Sequence, residues 1–483
     1  MQQHHTVTVE EAVQVLAMVG DLSMGQPSGQ SIRSAHLAER LALADGAHEG
    51  SCAHARLVAL LRWSGCTANA SGFATLLGDD VGGRNAMLTQ TLPPDTRLSF
   101  TSVAPLARIH CEVSGAIAQT MALPDEVELG LRLVWEHYDG GGIPEGLSAP
   151  QIPRLVYYVN LAGDLEILAR AHGIDEALRM IAARADHKYP APLVRLLAAH
   201  AHAWLEAVDA PSCPAEVPAL DLRVPLAIVS DMIELKLPWL LGYSRSVAGL
   251  AEAAAALAGL APAEQACLGR AALLHGIGRA AVPNAVWQRS GKLGVADWEK
   301  VRLVPYWTAR AAIQIPSLRA EAALASHVYE RCDGSGYFRG LDTGALGLPQ
   351  RILAAAAAYA ALRMPRPWRA ACSAPEAARL LEADARAGRF DLQAVRCVIG
   401  AADGAGAVAA TAAEAAPPRK TLLSERETGV LRRLSLGESN KEVARELQIS
   451  PSTVRTHVES IFRKLDCSTR TAATLKGLML GLI

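Results

Sequence analysis

The sequence predicts an all-α protein. Three observations carry this. Apolar residues recur at helical spacing through most of the chain, valine-rich alternating runs are few, and alanine, leucine and arginine, all strong helix formers, dominate. At 483 residues the chain is too long for a single core and suits two or three domains. Hydrophobic residues make up 51%, yet no run of about 18 residues is free of charge, so no membrane span is expected. The opening MQQHHTVTVEEAV has no basic patch followed by an apolar core, so no signal peptide is expected either. The nine cysteines are scattered and none forms a CxxC pair, which suits reduced thiols and a cytoplasmic location.

An internal repeat organises residues 1 to about 400. In the first half, Met24-Gly25-Gln26-Pro27-Ser28-Gly29 leads into a helix and then into Ala59-Leu60-Leu61-Arg62-Trp63-Ser64-Gly65. In the second half, Pro238-Trp239-Leu240-Leu241-Gly242 leads into an alanine-rich helix and then into Ala272-Leu273-Leu274-His275-Gly276-Ile277-Gly278-Arg279. Gly29 to Gly242 and Gly65 to Gly278 are both offsets of 213. Further on, Asp139-Gly140-Gly141-Gly142 mirrors Asp333-Gly334-Ser335-Gly336, and Arg154-Leu155 mirrors Arg351-Ile352, at offsets of 194 and 197. Glu176–Ala199 parallels Glu376–Ala402. Shared landmarks in one order predict a duplication, with repeat one over 1–210 and repeat two over 222–400. The Pro- and Ala-rich stretch 207–222 joins them. The stretch 401–420, small and nearly uncharged, predicts a flexible linker.

The last part, 421–483, predicts four helices. Ser424 with Glu427 three residues on is a capping box, and Val430, Leu431 and Leu434 give the first helix one apolar face. Gly437 ends it and Ser439 caps the second. Ser450-Pro451 starts the third, in which Val454, Val458, Ile461 and Leu465 form one stripe. Ser452, Arg455, Thr456 and Glu459 fall on the opposite stripe. Leu475, Leu478, Met479 and Leu482 mark a fourth helix. From Lys420 onward eleven basic residues face seven acidic ones, a balance of +4, while the remaining 36 and 41 leave −5. The positive excess lies where a polyanion would be gripped.

This segment resembles the LuxR/GerE-type helix-turn-helix through Leu423-Ser424-Glu425-Arg426-Glu427, Gly437, Asn440-Lys441-Glu442-Val443-Ala444, Thr453-Val454, His457, Ile461 and Lys464-Leu465. The resemblance implies that the third helix enters the major groove of double-stranded DNA. Arg455, Thr456 and Glu459 would face base edges, and Asn440, Lys441, Ser452, Thr453, His457, Arg463 and Lys464 would lie near phosphates. In such domains the fourth helix often forms a dimer face, so a homodimer is expected.

Repeat two resembles the HD-GYP branch of the HD phosphohydrolases through Gly242-Tyr243-Ser244, His275-Gly276-Ile277-Gly278-Arg279, Glu330-Arg331-Cys332-Asp333-Gly334-Ser335-Gly336-Tyr337 and Arg366-Pro367-Trp368-Arg369. Repeat one shows a fainter version, clearest at Asp139-Gly140-Gly141-Gly142-Ile143-Pro144. Active members are helical bundles that hydrolyse cyclic di-GMP on clustered metal ions, which needs imidazoles and carboxylates converging on metals about 3.5–4 Å apart. Here the pattern departs from the family's. The early metal histidine is Tyr243 in repeat two and Gln30 in repeat one. The His-Asp pair is His275-Gly276 and Arg62-Trp63. The adjacent lysine is Arg279, a later histidine is Val304, and the paired histidines before Glu330 are Val328 and Tyr329. The final metal aspartate falls on Ala357 and the Gly-Tyr-Pro proline on Phe338. His275 and His327 are vestigial and no metal or other cofactor is expected. His110 and His137 read as core histidines, and Asn160 and Asp164 lie near the metal-aspartate position of repeat one without evident partners.

The expected architecture is therefore two tandem degenerate HD/HD-GYP-like helical domains followed by a four-helix LuxR-type domain. The expected function is a DNA-binding transcriptional regulator, not an enzyme, whose silent repeats serve sensing or dimerisation and receive a small-molecule or protein signal. The alternative is a residual metal-dependent hydrolase of cyclic dinucleotides with a DNA-binding appendage. A further reading is a pure interaction protein docking on another signalling protein.

Overall fold

The computed structural model describes residues 5–208, 222–313, 315–415 and 422–483. Among the described residues the chain is all-α apart from one two-stranded antiparallel ribbon, Thr6–Thr8 with Arg223–Pro225, in the register Val7 opposite Val224. Both valines are buried while the flanking residues face outward. Three residues are too few for alternation to show in a sequence, so this ribbon was not legible there. It ties the start of repeat one to the start of repeat two.

Repeat one is built on Val9–Ser23, Gln30–Ala44, Glu49–Leu61, Phe100–Thr120, Asp125–Arg132, Arg154–His172, Ile174–Ala182 and Ala191–Val208. Repeat two answers with Ala227–Glu234, Tyr243–Leu257, Pro262–Leu274, Val304–Ala312, Arg319–Ala325, Leu348–Arg363, Ala374–Arg386 and Leu392–Ala415. In each repeat the same local devices recur. A buried acid caps the next helix. Asp21 accepts the Gly29 and Ser31 N–H groups at 2.9 and 3.0 Å. Glu234 accepts those of Gly242 and Ser244, both at 2.7 Å. After the third helix, a Cβ at Gly65 would overlap the carbonyl oxygen of His110, and one at Gly278 that of Val304. Only glycine lets those backbones meet. Further on, Glu136 holds the Glu145 and Leu147 N–H groups (2.8 and 2.9 Å), and Glu330 holds those of Arg339 and Leu341 (2.9 Å each).

The repeats do not keep separate cores. One continuous set of buried apolar residues runs from Val7 to Ala401 and takes in Ala472 and Leu475 near the C-terminus. Val9–Ser23 packs against its own repeat and against the turn Ile277–Ala281 of the other. Between them lies an ion pair, Lys236 with Asp80, in which both side chains are fully buried. Asp80 also accepts the Asn284 N–H at 2.6 Å, and Asn284 Nδ2 donates to the Lys236 carbonyl at 3.0 Å.

The expected linker is corrected in part. Leu392–Ala415 is a single helix that runs on through 401–415, because alanine carries the highest helix propensity of any residue. Residues 416–421 lie outside the described residues, as does 209–221, most of the stretch read as joining the repeats. Among the described residues no helix is long and apolar enough to cross a membrane.

Candidate nucleic-acid interface and repeat centres

The C-terminal unit has its own core of Leu423, Val430, Leu431, Leu434, Val443, Val454, Val458, Ile461 and Leu465. Its helices are Glu425–Ser435, Asn440–Leu447, Pro451–Leu465 and Arg470–Met479. Each begins on a hydroxyl cap. Ser424 Oγ accepts the Glu427 N–H at 3.3 Å, Ser439 that of Glu442 at 3.4 Å, Ser450 that of Thr453 at 3.1 Å and Thr469 that of Ala472 at 3.3 Å. The turn between the second and third helices passes through Gln448 in the left-handed region (φ 52°).

With the apolar stripe of Pro451–Leu465 turned inward, Ser452, Thr453, Arg455, Thr456, Glu459, Arg463 and Lys464 are exposed, as is Lys441 on the preceding helix. His457 and Asn440 are half-buried. Arg455 and Glu459 form an ion pair at 2.9 Å across one turn. Asn440 Oδ1 accepts from Arg470 Nη2 at 2.7 Å. Lys464 is not a free cation, since its Nζ lies 2.7 Å from Glu427. Glu427 also takes the Ser460 hydroxyl and the Ser424 N–H, both at 2.7 Å. Burial alone would raise that carboxyl, but Lys464 and these donors bring it down to about 2. Glu427 thus closes its own cap and braces the third helix to the first. The capping box was legible in the sequence, but the brace, across more than thirty residues, was not.

The fourth helix does not face solvent. Arg470–Met479 packs on Phe100–Thr120 of repeat one and Ala227–Glu234 of repeat two. Thr120 Oγ1 donates to Met479 Sδ at 3.0 Å and the Ser468 N–H donates to the Glu112 carboxylate. Where the three units meet there is a cavity of about 280 Å³ between Leu106, Leu235, Pro238, Leu434 and Arg470. The face read as a dimer surface is thus turned to the scaffold in this structure.

In repeat two, His275 is fully buried and its Nδ1 lies 2.5 Å from the Ala272 carbonyl. Burial, reinforced by the charge of Arg279, pushes its titration down to about 3. Its Nε2 lies 3.3 Å from Arg279 Nη2, whose guanidinium also donates to Tyr329 at 2.7 Å. The Tyr243 ring packs edge-on against His275 and its hydroxyl donates to the Ala357 carbonyl at 2.9 Å. His327 is half-buried with Nδ1 at 2.7 Å from the Ala323 carbonyl. The side chains that meet His275 are thus Tyr243 and the Arg279 guanidinium, and the buried Glu234 carboxyl lies near enough to act on both of these. Among the described residues no three His, Cys, Asp or Glu gather in a way that could hold a metal ion.

In repeat one, Arg62 is buried, donates from Nη2 to Gln30 Oε1 at 3.2 Å, and stacks 4.3 Å over Trp63. His110 is fully buried against Trp135, and burial pushes its titration down to about 3. Asn160 and Asp164 do have partners, contrary to the sequence reading. Asn160 Nδ2 donates to the Val134 carbonyl at 2.9 Å. Asp164 accepts from Lys188 Nζ at 2.7 Å and from the Tyr189 hydroxyl. These contacts join segments the repeat pattern did not place together.

A helical double-repeat body carrying a capped helix-turn-helix head, its third helix exposed, is the architecture of a DNA-binding regulator. Comparison with known proteins bears this out at both ends. Residues 227–394 match the family model described as "HD domain", and residues 421–476 match "Bacterial regulatory proteins, luxR family". The chain therefore carries an HD domain and a LuxR-family DNA-binding domain. It is 28% identical over 291 residues to "3'3'-cGAMP-specific phosphodiesterase 3" of Vibrio cholerae, covering 57% of this chain and 63% of that protein. Over 53 residues it is 47% identical to "Nitrate/nitrite response regulator protein homolog" of Haemophilus influenzae, covering 11% of this chain and 26% of that one. Over 73 residues it is 40% identical to "Probable transcriptional regulatory protein NarL" of Mycobacterium tuberculosis, covering 15% and 34%. The chain spans less than two thirds of the length of each of these relatives. A crystal structure of cyclic GMP-AMP specific phosphodiesterases from V. cholerae superposes with a TM-score of 0.59 at 21% identity, over 82% of this chain and 98% of that one. At that identity the likeness is one of fold.

Proposed function

We propose that the chain is a transcriptional regulator in which the two HD-like repeats are catalytically silent and govern how the DNA-binding head is presented. The single observation that carries this is the packing of the head. Its last helix is buried on both repeats, while Arg455, Thr456 and Glu459 stay exposed on the third. A signal that changes the repeats thereby changes the seat of the head, and a ligand shifts the population of docked and released heads in proportion to its differential affinity for them. Released heads would pair through the last helix and bind half-sites about one helical turn apart.

Silence of the repeats is supported by the tyrosines and arginine around His275 and by Arg62 and Trp63 in the equivalent place of repeat one. Two imidazoles without a bridging carboxylate make a poor ligand set for two metals, and the Nε2 of His275 faces the Arg279 guanidinium. The second reading, a hydrolase of cyclic dinucleotides, is favoured by the relative named as a 3'3'-cGAMP-specific phosphodiesterase. Genome-wide mapping of bound DNA, paired with metal analysis and a cyclic-dinucleotide cleavage assay of the purified chain, decides between them. Discrete bound promoters without cleavage are expected. Near-stoichiometric iron or manganese together with chelator-sensitive cleavage would overturn the silent-repeat reading.

A further inference from the structure

The cavity of about 280 Å³ where the head meets both repeats takes its walls from all three units. Leu106 and Ile109 come from Phe100–Thr120 of repeat one. Leu235, Pro238 and Leu241 come from the turn after Ala227–Glu234 of repeat two, and Leu434 from the first helix of the head. Most polar side chains among them are spent inside the protein. Asn69 Nδ2 donates to the Leu106 carbonyl at 2.9 Å, and its Oδ1 accepts from Arg84 at 2.5 Å. Ser435 Oγ donates to the Arg432 carbonyl at 2.8 Å, and Thr474 Oγ1 to the Arg470 carbonyl at 2.9 Å. Arg470 differs from these. It is exposed, and among the described residues it is the one charged side chain of the lining. Its guanidinium donates to the Glu438 carbonyl at 3.0 Å and to Asn440 Oδ1 at 2.7 Å. Both acceptors are neutral, and Arg470 makes no ion pair among the described residues, the Glu438 carboxylate being held by Arg433 at 2.6 Å.

Close packing leaves few voids larger than a water molecule, and water gains little between apolar walls. An engineered apolar cavity of about 150 Å³ takes up benzene, and this one has room for an aliphatic chain of about eight carbons. A carboxylate on a guanidinium bonds roughly twice as strongly as the neutral acceptors that Arg470 now has. Apolar walls with one cation at their edge therefore match a molecule with an aliphatic body and one anionic end. The walls come together only while the head is seated, so a molecule enclosed by them favours the seated state.

Resting on the reading of docked and released heads, we infer that this cavity is a receptor site for a medium-chain aliphatic carboxylate whose occupation holds the head on the repeats and away from DNA. The chain lies between the leucines of the three units, and Arg470 takes the carboxylate. By reciprocity, bound DNA weakens the carboxylate by the same factor.

The test is calorimetric titration of the full-length protein with octanoate, hexanoate, octan-1-ol and acetate, repeated with Arg470→Gln and Ser71→Trp. Ser71 is exposed, lines the cavity, and its hydroxyl has no partner among the described residues, so an indole there fills space without unpairing a buried group. The expected result is saturable octanoate binding below about 1 mM, about tenfold tighter than hexanoate because two more methylenes are buried. Octan-1-ol, of equal chain length but neutral, should bind about fivefold or more weakly, and acetate should not saturate. Arg470→Gln should abolish the preference for octanoate over octan-1-ol, and Ser71→Trp should weaken octanoate by about tenfold or more, both at an unchanged melting temperature of the free protein. No saturation by octanoate below about 1 mM would overturn the inference, as would equal affinity for octan-1-ol or unchanged binding in either variant. A gel-shift titration on a promoter fragment recovered by the genome-wide mapping reads the coupling. Saturating octanoate should weaken DNA binding by about fivefold or more. Octanoate that binds yet leaves DNA affinity unchanged or raised would sink the docked-head reading and leave the carboxylate site standing. Absent octanoate binding would sink the site and leave that reading standing.

Discussion

Replacing Asp80 by alanine is expected to cost about 3–5 kcal/mol, because it strands the Lys236 ammonium in a fully buried site. Both side chains of this pair are 0% exposed, and Asp80 also accepts the Asn284 N–H at 2.6 Å, so a second buried donor is orphaned with the first. Lys236→Met should cost a similar amount by leaving the Asp80 carboxylate uncompensated. The double variant Asp80→Ala/Lys236→Met should instead cost clearly less than the two single variants together, since no charge is then stranded and only the Asn284 N–H loses its partner. The cycle therefore predicts strong non-additivity. The assay is urea unfolding of the full chain, followed by circular dichroism and by tryptophan fluorescence. Trp63 and Trp135 report on repeat one, and Trp239 and Trp287 on repeat two. With one continuous core, the probes should give coincident transitions in the wild type. A cost below about 1 kcal/mol for Asp80→Ala, or single effects that simply add, would refute the claim that this pair sits in a buried seam between the repeats.

Arg455→Ala should weaken binding to the cognate operator by about 1–3 kcal/mol in a gel-shift titration, and an unchanged affinity contradicts the placing of the third helix in the major groove. Lys464→Ala should lower the salt slope of DNA binding by clearly less than one unit, because Glu427 already balances that charge, and should cost the head about 1 kcal/mol of stability. A full unit of slope would show that the pair opens on DNA. Two fully buried histidines make stability depend on acid. His110 and His275 are pushed down to about 3, while in the unfolded chain they titrate near the usual 6.5. The unfolded chain therefore binds more protons in that window. Their contribution is whole above 6.5 and is lost as the pH falls toward 3. Asp21 and Glu234, both raised to about 7 by burial, work the other way, and their contribution fades as the pH rises from about 4 to 7. His275→Gln should flatten the acid limb of a melting-temperature profile, and an unchanged limb would mean that His275 is not held neutral by its site.

Much of the architecture was legible because it is written in local patterns. The capping residues Ser424, Ser439 and Ser450, the inward stripe Val454-Val458-Ile461-Leu465 and the glycines Gly65 and Gly278 each act over a few residues. A linear reading recovers such signals. The same holds for Arg455, Thr456 and Glu459, whose exposure follows from helical period alone. The 401–415 stretch misled because alanine is small enough for a linker and is also the best helix former.

What the linear pattern could not supply is which distant groups meet. Asp80 and Lys236 look like two unremarkable surface charges until the two repeats close over them. Glu427 reads as one half of a cap until the third helix swings Lys464 and Ser460 onto its other oxygen. Leu106, Leu235 and Leu434 read as apolar residues of three separate segments, whereas the cavity between them exists only once the head is seated on both repeats. By itself the sequence determined the helices, their caps, the repeated order of landmarks and the exposed face of the third helix of the head, since these depend on neighbours within a few residues. Tertiary structure alone decided the shared core, the seating of the head and the cavity beneath it. Burial, desolvation and pairing depend on distances through space that the spacing of residues along a chain does not encode.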